Sequence, residues 1–278
     1  MKKIIYTLAI SMMFVSWTEA KARENSWTEL NLKGKVKSLK EIKYDAAEKT
    51  DNFQKGKLKD SVAYVFNEKG NVTEKSVYNP DGTLKRNVTY KYDGNGKMLE
   101  QNMYTGNNNL EEKLTFKYDD NGKKIEQNGY NRNESLQEKT TFRYDSNGNM
   151  IEEHKYKPDG SIYFKSIFIN DSNGKIIEEK RYKSNGDLDW RYTWKYDGNG
   201  NTIETNWYKP DGSLMGKDTY RYDGNANQIE RNGYNPDGSL KAKYTYKYDY
   251  DKNLNWTKRI EHKNDVLLSI WERGIEYF

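Results

Sequence analysis

The chain has no cysteine, only four prolines and two histidines in 278 residues, and beyond its N-terminus no apolar run long enough to cross a membrane. Without cysteine there can be no disulfide framework and no lipid-bearing cysteine behind a cleaved leader. Because His154 and His262 stand in different repeats and no serine sits in a nucleophile elbow, nucleophilic and histidine-based metal catalysis lack their usual participants. Only 34% of the residues are hydrophobic, and many of those are tyrosine, so a thick aliphatic core is excluded as well.

What is present argues for order. Mean hydropathy is −1.18, yet 24 tyrosines and nearly balanced charge (47 basic against 42 acidic residues) do not fit an expanded coil. At the N-terminus, "MKK", the apolar "IIYTLAISMMFVSW" and the small-x-small "AKA" ending at Ala22 have the form of a secretory signal peptide over 1–22, with "TEA" ending at Ala20 as the competing cleavage site. The apolar stretch is shorter than the ~20 residues of a spanning helix. The mature chain is therefore expected to be secreted, periplasmic or at the cell surface, with no transmembrane segment after cleavage.

The rest is repetition. The aromatic of each "YD" pair falls at Phe66, Tyr92, Tyr118, Tyr144, Tyr196, Tyr222 and Tyr248, with Asn170 filling the one missing place, always 26 residues apart. Within each unit a glutamate follows eight residues later (Glu74 to Glu230), a tyrosine twelve later (Tyr78 to Tyr234) and an aliphatic eighteen later (Leu84 to Val266). Two turn signals, "DGNG" and "PDG", divide the unit into runs of about eight or nine residues rich in Tyr, Thr, Ile and Lys, so one repeat reads as one β-hairpin. Breakers recurring at this spacing exclude helices.

Alternation along each run places the tyrosine at twelve, the aliphatic at eighteen and the aromatics at twenty-four and twenty-six on one face. The opposite face then carries basic rows, such as Lys113, Lys139 and Lys165, relieved by Ile125, Ile151 and their equivalents. The expected fold is all-β: antiparallel hairpin repeats forming a long β-meander sheet of about eighteen strands. It either coils with the aromatic face inward or remains a single layer wetted on both sides. The organisation reads as a leader (1–22), an N-terminal cap with a first strand and long loop (23–57), hairpin repeats (58–252) and a C-terminal capping hairpin (253–278).

The stretch "YRYDGNANQIERNGYNPDGSLKAKYTYKYD" resembles the YD repeats, also known as RHS repeats, over about residues 58–252. That resemblance implies spiralling β-sheets that enclose a cargo or serve in adhesion, often with suspected carbohydrate binding. A weaker similarity links the chain to MORN-type hairpin repeats. This chain is short, and only a cap follows its last repeat.

Function is less legible. The glutamate row places carboxylates roughly 9.6 Å apart, two strands distant, near the spacing of inverting glycosidases. A catalytic pair, however, needs two unlike environments, and seven equal copies offer one; the chain reads as a non-enzyme without cofactor or metal. The "DxNG" turns lack the further carboxylates of a calcium loop. The basic rows could attract a polyanion, but read more simply as solvated guards against edge-to-edge association, and no nucleic-acid partner is expected. Trp190, Trp194, Trp207 and Tyr208 concentrate flat rings near acidic and amide side chains, a composition suited to stacking on sugars, so the expected partner is a glycan or an envelope protein. A structural scaffold or adhesin-like envelope protein is the alternative, and oligomeric state is not fixed by the sequence. By parity Trp207 should lie opposite Trp194: if it is exposed while Trp194 is buried the rings form a surface patch, and if both are buried they are core.

Overall fold

A computed structural model describes residues 25–46 and 55–278; the leader expected at 1–22 and part of the loop before Leu58 lie outside the described residues. Eighteen antiparallel strands follow one another as nearest neighbours: β1 (Val36–Ala46), β2 (Lys55–Phe66), β3 (Val72–Tyr78), β4 (Leu84–Tyr92), β5 (Met98–Thr105), β6 (Leu110–Tyr118), β7 (Lys124–Asn131), β8 (Leu136–Tyr144) and β9 (Met150–Tyr156), then β10 (Ile162–Asn170), β11 (Ile176–Lys183), β12 (Leu188–Tyr196), β13 (Thr202–Tyr208), β14 (Leu214–Tyr222), β15 (Gln228–Tyr234), β16 (Leu240–Tyr250), β17 (Trp256–Lys263) and β18 (Val266–Tyr277). The meander does not stay open. β1 pairs with β2 on one side and with β18 on the other, from Leu39 opposite Ile275 to Asp45 opposite Ser269, and the sheet closes into an 18-stranded barrel. Closure corrects the expected open or coiled sheet, and its physical reason is the seam: two long terminal strands would otherwise present unpaired backbone.

The turns explain the two recurrent signals. In "DGNG" the aspartate closes its own loop: Asp197 Oδ1 accepts the backbone N–H groups of Asn199 and Asn201, and Gly200 takes positive φ. Asp159 and its equivalents do the same at the "PDG" turns, accepting from the Ser161 N–H and hydroxyl. At the eighth copy the turn comes two residues late, with Asp251 rather than Asp249 accepting from Asn253 and Asn255. Trp256 therefore occupies the place of Val72 and Met98, not that of a glutamate.

Each hairpin carries a β-bulge beside its turn, which reverses the parity expected for half of the strands. Tyr78 pairs with Leu84, but the next pair is Val77 with Arg86, leaving Lys85 without an opposite number; at the other turn Tyr92 pairs with Met98 and Lys91 with Glu100, leaving Leu99. One added residue flips the following side chains to the other face. Tyr104 thus faces Asn87 and Tyr130 faces Lys113, joining the lysines rather than the aromatics.

The outer face is the charged one. Lys117, 65% exposed, meets Glu126 at 2.7 Å, and Lys139 reaches the same carboxylate from the other side at 2.7 Å. Lys91, Glu100 and Lys113 repeat the arrangement, as do Arg143, Glu152 and Lys165. A lipid-facing wall would need an apolar band here, and each Lys or Arg at a bilayer midplane costs about 2–4 kcal/mol, so this exterior is built for water.

The inner face holds the aromatics and a second set of charges. Eighteen strands ~4.8 Å apart, tilted about 40° as closure requires, give a perimeter of about 110 Å and a width of roughly 36 Å if round. Among the described residues all strand pairs in extensive contact are ladder neighbours, and none of these strands crosses the lumen. The apolar core sits at the "DGNG" mouth, where a segment with one helical turn, α1 (Ser26–Glu29), lies across the rim. Leu32, Val36 and Leu39 pack there against Tyr64, Phe66 and Val72. The segment is tied to turns from distant repeats: Trp27 N–H donates to Gly70 O, Asn31 Nδ2 to Asn225 O, and Asn255 binds the Lys33 backbone at both N–H and carbonyl.

Candidate functional site on the lumenal wall

Strands β10–β15 form the part of the wall that brings rings and ionisable groups together. On β12, residues 190, 192 and 194 point into the lumen, and the bulge in β13 turns Trp207 the same way, directly opposite Tyr192. Trp190 meets Tyr192 edge-on, with centroids 4.7 Å apart and an interplanar angle of 89°. Tyr192 lies nearly parallel to Trp194 (6.0 Å, 22°) and to Trp207 (6.4 Å, 28°). Three of the four residues singled out in the sequence therefore share one half-buried wall. Tyr208 does not: it stands outside beneath the Arg191 guanidinium, 4.0 Å from the ring centroid. The expected opposition of Trp194 and Trp207 is corrected by the same bulge, and the outcome is neither a surface patch nor a closed core but a lumenal face.

Sequence reasoning missed Tyr192 and the ionisable partners. Gly216 stands opposite Trp207 and has no side chain, so the indole lies across it; a Cβ there would come within 2.5 Å of the ring. Asp218, buried on β14, accepts two hydrogen bonds from Arg231, at 3.1 Å from Nε and 2.8 Å from Nη2. Tyr220 bridges Thr205 (3.3 Å) and Asp218 (3.4 Å). On the other flank Arg181 lays its guanidinium over Phe164, 3.4 Å from the centroid, and 5.5 Å from Trp190. Glu179, packed opposite Tyr192 and Phe168, is pushed up to about 7 by burial, against which the Ser166 hydroxyl works. Glu153, on the far side of Ser166, is raised by burial as well.

The glutamate row, by contrast, faces out. Glu126 is held down at about 2 by hydrogen bonds from Lys117 and then Lys139, and Glu100 likewise at about 2 by Lys91 and then Asn102. Carboxylates held this low are ionised at neutral pH and cannot donate a proton, so the row is an ion-pair ladder. Among the described residues no cluster of His, Asp and Glu could hold a metal ion.

No protein family matches the chain, and no curated protein matches it either. Among solved structures, a porin-like protein from Bacteroides uniformis is 11% identical over 87% of this chain and 96% of its own, with a TM-score of 0.44. A porin-like protein from Bacteroides vulgatus is 14% identical, with 87% and 98% covered and a TM-score of 0.40. The Photorhabdus luminescens Tc holotoxin pore is 14% identical over 77% of this chain but only 12% of its own, with a TM-score of 0.36.

Proposed function

We propose that the mature chain is an exported, non-enzymatic barrel that holds a saccharide chain against its lumenal aromatic wall. The observation that supports this reading is the gathering of Trp190, Tyr192, Trp194 and Trp207 on one half-buried face beside the Asp218–Arg231 pair. Flat rings stack on the C–H faces of sugars, while carboxylate, guanidinium and phenol groups take their hydroxyls. An enclosed wall also suits an elongated ligand better than a small one. Envelope or extracellular residence follows from the leader expected at 1–22, and the YD-repeat resemblance supports the same setting.

The test is a glycan-array screen of residues 23–278 with Trp fluorescence on any hit. Saturable quenching is expected, lost in Trp207→Ala and kept in Tyr208→Ala, whose ring stands outside. Silence across the array with a folded protein would overturn the saccharide reading. It would leave a scaffold role, which would have to use the ion-paired outer surface because closure removes the free strand edges.

A further inference from the structure

The barrel pairs its outer cations with glutamates, while on the inner face some guanidiniums have a carboxylate, as Arg231 has Asp218, and others have none. Outside, in well-solvated positions, Lys91, Lys113, Lys117, Lys139, Arg143 and Lys165 each meet a glutamate, although exposed pairs of this kind contribute little. Inside, Arg181 and Arg259 have no carboxylate partner among the described residues, and the Nε of each is buried without a hydrogen-bond acceptor. Both are held by rings instead: Arg181 between Phe164 and Trp190, Arg259 between Trp271 (4.6 Å) and Trp256 (5.4 Å). Arg273, 5% exposed, spends Nε and Nη2 on Glu41 but leaves Nη1 without a partner while stacking 3.7 Å from Trp256. A buried polar group without a partner calls for one, and a guanidinium pinned by aromatic faces keeps its edge for a planar anion.

The nearby lumenal carboxylates do not supply that anion. Asp218 is committed to Arg231, Glu41 to Arg273, and Glu261 accepts from the Ser269 hydroxyl. Glu153 and Glu179, the acids nearest Arg181, are both shifted by burial toward their neutral forms. We infer that the lumenal saccharide is acidic, its carboxylate or sulfate groups meeting Arg181 beside Trp190 and Arg259 on the wall six strands away. This rests on the saccharide reading above and adds the charge of the ligand to it.

The experiment titrates the mature protein with oligogalacturonate, with the same oligomer fully methyl-esterified, with a sulfated oligosaccharide of equal length and with polyglutamate, following Trp fluorescence. Binding of an acidic oligomer at least tenfold tighter than of the ester is expected. Arg181→Gln and Arg259→Gln should each weaken it about tenfold or more, and the outer-face Lys117→Gln should not. Whichever of the uronate and sulfate arms binds more tightly identifies the anionic group.

Equal affinity for acid and ester would overturn the inference and leave the saccharide reading standing; no binding by any oligosaccharide would overturn both. Polyglutamate matching the acidic oligomers would show that the wall reads charge without sugar, against the inference. An independent readout needs no ligand: because Arg181 and Arg259 have no carboxylate to abandon, their glutamine variants should match or exceed the parent Tm. A marked fall in both would show that the arginines serve the fold.

Discussion

Tyr144 shows why the repeat insists on tyrosine. The backbone ladder between β7 and β8 ends at Glu126–Thr141, and the Lys124 carbonyl beyond it would face β8 without a donor; the Tyr144 hydroxyl supplies one at 2.8 Å. Tyr92, Tyr118, Tyr196, Tyr222 and Tyr248 repeat the bond to a carbonyl twenty residues earlier. Where asparagine replaces tyrosine, Asn170 Nδ2 reaches Met150 O at 2.9 Å and does the same work. Tyr144→Phe should therefore cost about 0.5–1.5 kcal/mol, read as a fall in urea midpoint. Arg231→Gln, which leaves the buried Asp218 carboxylate with an unfilled acceptor, should cost about 1–3 kcal/mol. A third residue titrates: Glu179 sits near 7 folded against an ordinary value of 4.5. An acid raised on folding adds stability that is complete below its unfolded pKa and lost as pH rises through the folded one. Stability should fall between about pH 4.5 and 7, and Glu179→Gln should flatten that part of the pH profile.

At the scale of the element, the hairpin is where sequence reading succeeded and then slipped. Turn chemistry identified the hairpins and the strand runs, because aspartate and glycine at fixed spacing have few other uses. Facing was misassigned because parity was carried through each "PDG" and "DGNG" turn as though the ladder were regular. The bulge residues, Lys85 and Leu99 among them, carry no compositional mark, and a slip of one residue moved Trp207 from one face to the other. The candidate rings were legible as a concentration of indoles; the partners that surround them, Asp218 with Arg231 and Glu179 with Ser166, are set by cross-strand register and were not. Four of the repeat turns also depart from the glycine rule, with Asn108 at φ 61°, Glu134 at φ 57°, Ala226 at φ 62° and Leu254 at φ 65°. Leu254→Gly should stabilise by about 0.5–1 kcal/mol, since glycine enters the left-handed region without the Cβ penalty; a lower Tm would show that its side chain matters more than its backbone.

The whole molecule depends on one long-range event. Seventeen of the strand pairings join consecutive strands; only β1 with β18 joins the two ends of the chain. Periodicity cannot announce closure, since a regular meander reads the same whether its first and last strands meet or not. The seam nonetheless leaves a trace in the buried Leu39 and Ile270 and in the Glu41–Arg273 ion pair, all on its two strands. Proline substitution at Lys40, in the middle of β1 between β2 and β18, should open the ring and expose two edges, driving association visible by size-exclusion chromatography. The parent, with its ion-paired exterior, should elute as a discrete species without detergent and should not float with liposomes; co-flotation would overturn the assignment of the outer face to water.

The tyrosine clasp has a further consequence for how such a protein can change. Each unit is fastened to its predecessor by identical means, so duplicating or losing one copy leaves every other junction intact. The bore is then a quantised trait: one unit adds two tilted strands, about 12 Å of perimeter and so about 4 Å of diameter. Selection on ligand girth could proceed by whole-copy gain and loss, with the wall chemistry edited separately, one side chain at a time.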